Sequence, residues 1–425
     1  MKPGYKQTEV GLIPEDWEIL SLGEIGRVVR GGSPRPAGDK RFFNGSFIPW
    51  LTVGCLTNIP SEQLDVVETP TMLTAEGSRR SRLLSVGTMV IVNSGARTLG
   101  VTKVLGINCC ANDGIAALVE QTAGHKAFIC YFLNSQIDRL RTVVASGNDQ
   151  LNLNTSRISQ LKIPFPPELE QRSIAGALAD VDAAANGLER LIAKKRDLKQ
   201  ATMQQLLTGQ TRLPGFVGAW EMKRLGDHVT FLRNGALSRA QLTTDDPVRY
   251  LHYGDIHGSS DVFLSPLTAS MPTVPSSLVS RLDRLQDGDL VFADASEDLD
   301  GVGKSTEIQM ADSLEMVSGL HTIAARFDKD VLTNGFKAYL QFIPAFSAHL
   351  KKHASGTKVL ATNRSHIASA ELGLPAPTEQ KAIALVFRDM DAELSSLKAQ
   401  LDKTRLIKQA MMQELLTGRT RLPFQ

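Results

Sequence analysis

The chain has 425 residues, of which 42% are hydrophobic and 22% charged, and its net charge is +2. That length holds more than one domain with its own core. The polar start "MKPGYKQTEVG" and the lack of any apolar run of 18 residues argue against a leader peptide or a membrane span, so a cytoplasmic protein is expected. A net charge this small argues against a protein that coats nucleic acid indiscriminately, and it leaves room for a localised basic groove.

Residues 1–165 read as a mixed domain. Trp17-Glu18 and Leu22-Gly23 open it, and "FIPWLTV", "TMVIVNSG" and "IAALVE" have strand composition. Short helices are expected near "KAFICYFLNSQIDRLRTVV". The four cysteines, Cys55, Cys109, Cys110 and Cys130, form no CxxC pattern, so reduced thiols are expected rather than a zinc site.

Residues 166–212 read as one long helix. Prolines in "PPELEQ" sit before its first turn, where a missing N–H costs little, and Glu170 faces the positive end of the dipole. Apolar residues follow at alternating spacings of four and three: Ile174, Leu178, Val181, Ala185, Leu188, Ile192 and, after a break at Lys195 and Lys199, Leu206. Gly209 is placed to stop the helix.

Residues 213–374 repeat the first layout. Trp220-Glu221 and Leu225-Gly226 open the segment, strands are expected in "VRYLHYGDI", "DLVFADAS" and "HTIAARF", and helices in "NGFKAYLQFIPAFSAHLKK". Residues 375–425 then give the helix again, with seam residues Ile383, Phe387, Met390, Leu394, Leu397, Leu401, Met411 and Leu415, a break at Thr404 and Lys408, and Gly418 as the stop. "KQATMQQLLTGQTRLP" from Lys199 and "KQAMMQELLTGRTRLP" from Lys408 share 13 of 16 positions at an offset of 209 residues. Over residues 166–214 against 375–423 the identity is 24 of 49 without a gap. The repeat extends back to "ASGNDQLNLNTSRIS" and "ASGTKVLATNRSHIA", while the offsets in the domains drift to 201 and 203. Fixed length in the helix and loose length in the domains predict a spacer role for the helix.

The expected fold class is therefore α+β. Two similar mixed α/β domains are separated by two long helices, each about 60 Å at 1.5 Å per residue. Two matching seams in one chain can bury each other as an antiparallel coiled coil, and pseudo-twofold, circular symmetry makes each domain precede its own helix. The domains differ in charge: residues 1–165 carry +3 and residues 215–374 carry −4.

Motifs suggestive of catalysis are incomplete. "GVGKST" at Gly301–Thr306 lacks the glycine a phosphate loop needs, since position 298 is Asp298. Ser296, Asp298, Asp300, Gly301 and Glu307 mimic the spacing of a calcium loop, but its first position is serine and a strand precedes it. His349 and His353 are four apart on a helix with no third ligand evident in the sequence. No metal site and no catalytic residue is assigned.

Taken together, "TEVGLIPEDWEILSLGEI", "PFPPELEQRSIAGAL", "LPAPTEQKAIALVF" and the paired "LLTG" endings resemble the shared segments of specificity subunits of type I restriction–modification systems. "PAPTEQ" departs from the commoner "PPxxEQ". The resemblance implies a noncatalytic DNA reader with target recognition domains at 1–165 and 213–374 and spacer helices at 166–212 and 375–425. It implies double-stranded DNA, two modification subunits and two restriction subunits as partners, with S-adenosylmethionine, ATP and Mg carried by those partners and none by this chain. A rigid spacer would convert helix length into base pairs, about two for a four-residue insertion.

Arginine and lysine pair with guanine, asparagine and glutamine with adenine. On that basis the DNA-binding candidates in the first domain are Arg30, Arg35, Lys40, Arg41, Arg79, Arg80, Arg97, Lys103, Asn152, Asn154 and Arg157. In the second they are Arg233, Arg239, Tyr250, His252, Tyr253, Lys304, Lys358, Asn363 and Arg364, with Lys103/Lys304 and Asn154/Asn363 favoured as matched pairs. Two rival readings are a self-sufficient DNA adenine methyltransferase and a coiled-coil scaffold without DNA contact. The first needs an "NPPY" or "DPPY" loop and a cofactor fingerprint, which the sequence lacks; the second draws on the small net charge.

Overall fold

The computed structural model describes residues 3–95, 97–144, 152–309, 314–356 and 358–422. The start of the repeated stretch at Ala145 and the last residue of the second "TRLP" lie outside them. The chain divides into two compact units: unit 1 is Met1–Ile192 with Leu397–Gln425, and unit 2 is Ala193–Ser396. Each long helix therefore contributes one portion to each unit.

The two units share one plan. Unit 1 has a five-stranded sheet in the order Arg27–Arg30, Ile115–Val119, Met89–Val92, Thr102–Leu105, Asp65–Val66. Unit 2 has Val229–Phe231, Thr322–Phe327, Leu290–Ala293, Ser305–Ile308, Phe263–Leu264 in the same order. In both, the last strand alone is parallel to its neighbour. The central strands Met89–Val92 and Leu290–Ala293 are buried on both faces, which explains their continuous apolar runs. A smaller sheet carries a parallel pair in each unit, Phe43–Leu51 with Cys109–Ala111 and Val248–Leu251 with Glu315–Ser318. The four cysteines are buried free thiols.

One expected strand is cut short. "VRYLHYGDI" is strand only to Leu251 and then becomes the helix Tyr253–Gly258. His252 caps it: its Nδ1 accepts the Gly254 N–H at 3.2 Å, and Asp255 accepts the His252 N–H at 3.0 Å.

The tryptophan openings have a structural partner. Glu18–Ser21 pairs with Lys162–Phe165, and Glu221–Arg224 pairs with Glu371–Leu374, so the strand after each tryptophan holds the strand leading into a long helix. Those helices, Glu168–Leu206 and Pro377–Leu415, are both 39 residues long. Gly209 and Gly418 end them with φ of +70° and +66°. A Cβ on Gly418 would also lie 2.5 Å from Pro14 Cγ.

Every predicted seam position is buried or half-buried. The seam does not serve helix pairing alone. Ile174, Leu178 and Leu415 join the core of unit 1 around Phe128, and Ile383, Phe387 and Leu206 join that of unit 2 around Phe336. The seam breaks are ionic. In unit 1, Lys408 pairs with Asp182 at 2.6 Å and Arg405 with Glu62 at 2.9 Å. In unit 2, Lys195 pairs with Glu393 at 2.7 Å and Lys199 with Asp391. Arg405 also pairs with Glu189 of the first helix, so in both units the helix partners descend as positions ascend, and within each unit the helix portions run antiparallel.

Tyrosines from the domains complete these pairs. Tyr131 Oη donates to Asp182 at 2.7 Å, and Tyr339 Oη to Asp391 at 3.2 Å. Lys408 and Lys199 lie 5.6 and 5.9 Å from the centroids of those same tyrosine rings. Burial pushes the Asp182 carboxyl up, against the pull of Lys408 and Tyr131.

The "EQ" pair at each helix start does more than answer the helix dipole. Glu170 and Glu379 are buried, at 0% and 1% exposure. Arg421 of the second "TRLP" grips Glu170 with two nitrogens, and Arg212 of the first grips Glu379 in the same way. Gln171 accepts the His125 N–H at 2.7 Å and donates to Pro166 O at 2.8 Å; Gln380 accepts the Thr333 N–H at 2.9 Å and donates to Pro375 O at 2.9 Å. Glutamate therefore locks the helix start to a helix end, and glutamine locks it to the domain loop.

Candidate nucleic-acid interface

In unit 1 the strand Arg27–Arg30 runs into Gly31-Gly32. A Cβ on Gly31 would stand 2.0 Å from Asn112 O, so only glycine lets the two loops meet. The Gly31 N–H donates to Ile115 O at 2.8 Å and the Gly32 N–H to Ala111 O at 2.9 Å. Ser81 Oγ donates to Gly32 O at 2.6 Å, and Arg82 Nε to Arg30 O at 2.6 Å. These bonds bring three loops onto one face.

The face is basic. Arg30 Nε donates to Asp113 O at 2.7 Å, and Arg35 lies 3.4 Å from the Asp113 carboxylate with 73% of its side chain exposed. Arg41 pairs with Asp39 at 2.6 Å and Arg80 with Glu76 at 3.7 Å. Both of these guanidinium groups stack on the buried Phe42 ring, at 5.2 and 4.7 Å. Lys40 and Arg79 are exposed beside them. The Ser33 hydroxyl first, then Arg30 and Arg35, hold the Asp113 carboxyl below the usual carboxylate range. Surface pairs of this kind are weak enough to exchange an acid for a phosphate. Arg82 completes the face and was not singled out in the sequence, although it closes the "SRRSR" run that carries Arg79 and Arg80.

Unit 2 builds the same turn with different chemistry. The Gly235 N–H donates to Ser318 O at 2.8 Å, as Gly32 does to Ala111, which sets Arg233 opposite Arg30 in the plan. Arg233 lies 3.6 Å from Asp283 and Arg239 2.9 Å from Asp255. Arg364 Nη2 donates to Leu232 O at 2.7 Å, with its guanidinium 5.9 Å from the Phe231 ring. Tyr253 stands among His252, His321 and His257, with ring centroids 4.5, 5.4 and 6.2 Å away. A cavity of about 970 Å³ opens beside Tyr253, His257 and His321.

Several expected contacts are structural instead. Tyr250 is buried; its hydroxyl accepts the Leu237 N–H at 3.0 Å, so it supports the turn from below. Lys103 is 2% exposed and donates to Pro60 O and Gln63 O, tying a loop to the sheet. Burial pushes its ammonium down to about 8. Its match Lys304 donates to His257 O and Ser259 O, both at 2.8 Å. The favoured lysine pair thus marks a repeated loop anchor rather than a DNA contact. His252 is buried as a helix cap. Asn154 and Asn363 cap the short helices Thr155–Ser159 and Arg364–Ala368, each accepting the N–H three residues on. Asn152 bridges Ser94 through the backbone and is exposed, as are Arg97 and Lys358; Arg157 is half-buried in the capped helix.

The catalytic look-alikes resolve into turns. Asp298 Oδ1 accepts the Gly301 N–H at 2.7 Å, Ser296 Oγ donates to Asp298 O at 2.7 Å, and Asp300 pairs with Lys351 at 3.0 Å. His366 joins His353, with ring centroids 5.6 Å apart, and His349 lies 4.5 Å from His353. Among the described residues no three or more His, Cys, Asp or Glu side chains are arranged to hold a metal ion. No described helix is long and apolar enough to cross a membrane.

Residues 14–200 match the family described as the type I restriction modification DNA specificity domain. The chain is 20% identical to the type I restriction enzyme MjaVIII specificity subunit of Methanocaldococcus jannaschii, over 98% of this chain and 96% of that protein. It is 21% identical to the EcoKI specificity subunit of Escherichia coli K12, over 92% and 86%. The fold is similar to that of a crystallised type I restriction–modification S subunit from M. genitalium, with a TM-score of 0.56, 13% identity and coverage of 98% and 99%.

Proposed function

From a chain that carries a type I restriction–modification DNA specificity domain, and is related along nearly all its length to specificity subunits of those systems, we propose a reader of a split DNA site. Each unit presents one face to one half-site. The chain performs no chemistry of its own. Modification subunits dock on the long helices and carry S-adenosylmethionine, and restriction subunits carry ATP and Mg; the complex works in the cytoplasm.

The observation that carries this reading is the same loop-bearing turn made twice on one frame. Gly32 and Gly235 take the same backbone bond, and Arg30 and Arg233 each stand two residues before that glycine. Two copies of one reading frame suit two half-sites better than one continuous site. Arg35, Arg41 and Arg233 are exposed and held by weak surface pairs, as groups that must exchange partners on binding DNA should be.

The test is methylome sequencing of cells with and without the chain, followed by footprinting of the assembled complex. The expected result is a split motif that disappears with the chain, and two protected segments flanking a gap without base contacts. Methylation that persists without the chain, or one continuous footprint, overturns the proposal.

A further inference from the structure

We infer that the two units engage their half-sites by different chemistry: unit 1 mainly through charge, and unit 2 mainly through an aromatic shelf formed by Tyr253 and His321. This rests on the DNA-reading function proposed above.

The two faces are built on equivalent positions and filled differently. In unit 1, the strand ending at Leu51 enters a helix at Val53, capped by Thr52. In unit 2, the strand ending at Leu251 enters a helix at Tyr253, capped by His252. Across from Val53 stands Gly114, whose carbonyl accepts the Asn93 N–H at 3.0 Å; across from Tyr253 stands His321, whose carbonyl accepts the Asp294 N–H at 3.1 Å. A Cβ on Gly114 would lie 2.7 Å from Val53 Cγ2, so unit 1 has no room there. Unit 2 places a histidine at the same point with φ +56°, a left-handed conformation that disfavours any side chain. Strain of that kind is kept where the side chain does something, and here it sets the His321 ring edge-on to Tyr253. Half of the His321 side chain is exposed, and Tyr253 lines the open cavity beside it. In a duplex the base faces are stacked, so a half-buried Tyr253 and the partly exposed His321 would meet base edges and thymine methyls in the major groove, an apolar contact that neutralises no phosphate and so depends little on salt.

Charge divides the units in the opposite sense. The unit 1 face gathers seven cations, running from Arg30 to Arg82, against Asp39, Glu76 and Asp113. The corresponding stretch of unit 2, from Arg233 to Arg284, holds five arginines, and three of them are paired: Arg233 with Asp283, Arg239 with Asp255, and Arg284 with Glu315. Asp245 and Asp246 add further negative charge there. The phosphate contribution therefore falls largely on unit 1, and discrimination in unit 2 falls on apolar contact to bases.

The experiment uses the complex assembled with its modification subunits. Binding is measured on duplexes carrying the cognate site and on duplexes with the second half-site scrambled, across a salt series. Removing the unit 1 charges with R35Q/R41Q/R80Q should lower the slope of log K against log salt by about 2–3, at roughly 0.9 per phosphate contact. R233Q/R239Q should lower it by less than about 1. Tyr253→Ala should leave the slope unchanged and weaken cognate binding about tenfold or more, the loss of one base-edge contact, without effect on the scrambled duplex. His321→Gly relieves the backbone, so it should fold at least as well as the wild type and still lose cognate affinity. Equal slope losses from the two arginine sets, or equal losses on cognate and scrambled DNA for Tyr253→Ala, overturn the division of labour. A wild-type complex that binds without salt dependence or half-site preference overturns the DNA-reading function itself, and this inference with it.

Discussion

Arg421, just past the second long helix, clamps the start of the first long helix and the Trp17 segment within unit 1, and replacing it by alanine tests that role directly. Its guanidinium contacts both Glu170 oxygens and both Asp16 oxygens, and it lies 5.7 Å from the Trp17 ring. Glu170 is fully buried, and its other donor is the Trp17 indole N–H at 3.1 Å. In Arg421→Ala the carboxylate keeps one donor and loses its counter-charge. Breaking a buried pair from one side costs about 3–5 kcal/mol. Arg421 itself is 34% exposed, so water can replace part of what is lost, and the expected cost is about 3 kcal/mol. For a unit of this size that corresponds to roughly 6–12 °C in melting temperature. The assay is thermal and urea unfolding followed by tryptophan fluorescence, since Trp17 sits in the contact. Adding Glu170→Gln to Arg421→Ala should restore more than about 1 kcal/mol, because a neutral amide is cheaper to bury. A single variant within about 1 kcal/mol of the wild type, or a double variant with no recovery, refutes the clamp.

Three further outcomes are expected. Lys103 titrates near 8 in the folded chain and near its ordinary 10.5 when unfolded, so the unfolded state holds more protons between those values and stability rises with pH across that window. Lys103→Met should lack this rise, up to about 3 kcal/mol in the difference between the two pH–stability curves, and should leave DNA affinity and its salt slope unchanged. Lys408→Met should destabilise unit 1 by stranding the buried Asp182, and Asp182→Asn in the same chain should recover more than about 1 kcal/mol, measured as a double-mutant cycle by urea unfolding. Gly77→Ala would put a Cβ 2.2 Å from Phe42 O, shift the ring on which Arg41 and Arg80 rest, and cost about 1–3 kcal/mol together with a measurable loss of DNA affinity.

The sequence by itself determined the duplication, the mixed domains and the two helices. Period and repetition are local properties: the seam from Ile174 to Leu206 and from Ile383 to Leu415 reads off spacings of three and four, and the constant offset of 209 carries over to two helices of 39 residues. The end signals read equally well, because a left-handed turn after a helix selects glycine at 209 and 418. Residue identity alone did not separate a lysine that meets solvent from one that ties a loop. Lys103 and Lys304 looked like matched contacts because both are repeated, yet repetition follows structural duty as readily as reading duty. The same holds for Asn154 and Asn363, whose caps are set by local backbone.

Only the tertiary structure decided which charges meet. Asp182 with Lys408, and Asp391 with Lys199, are identical in the two copies and could have been noticed, but the two members of each pair lie about two hundred residues apart in the chain. The grouping of Arg30, Arg35, Arg41 and Arg80 on one face likewise depends on Gly31 fitting against Asn112 and on Phe42 lying beneath two guanidinium groups. The pair of "TRLP" segments illustrates both halves of the matter. Their duplication was legible at once, and their purpose was not, because the carboxylates they hold, Glu170 and Glu379, are brought to them only by the folded chain.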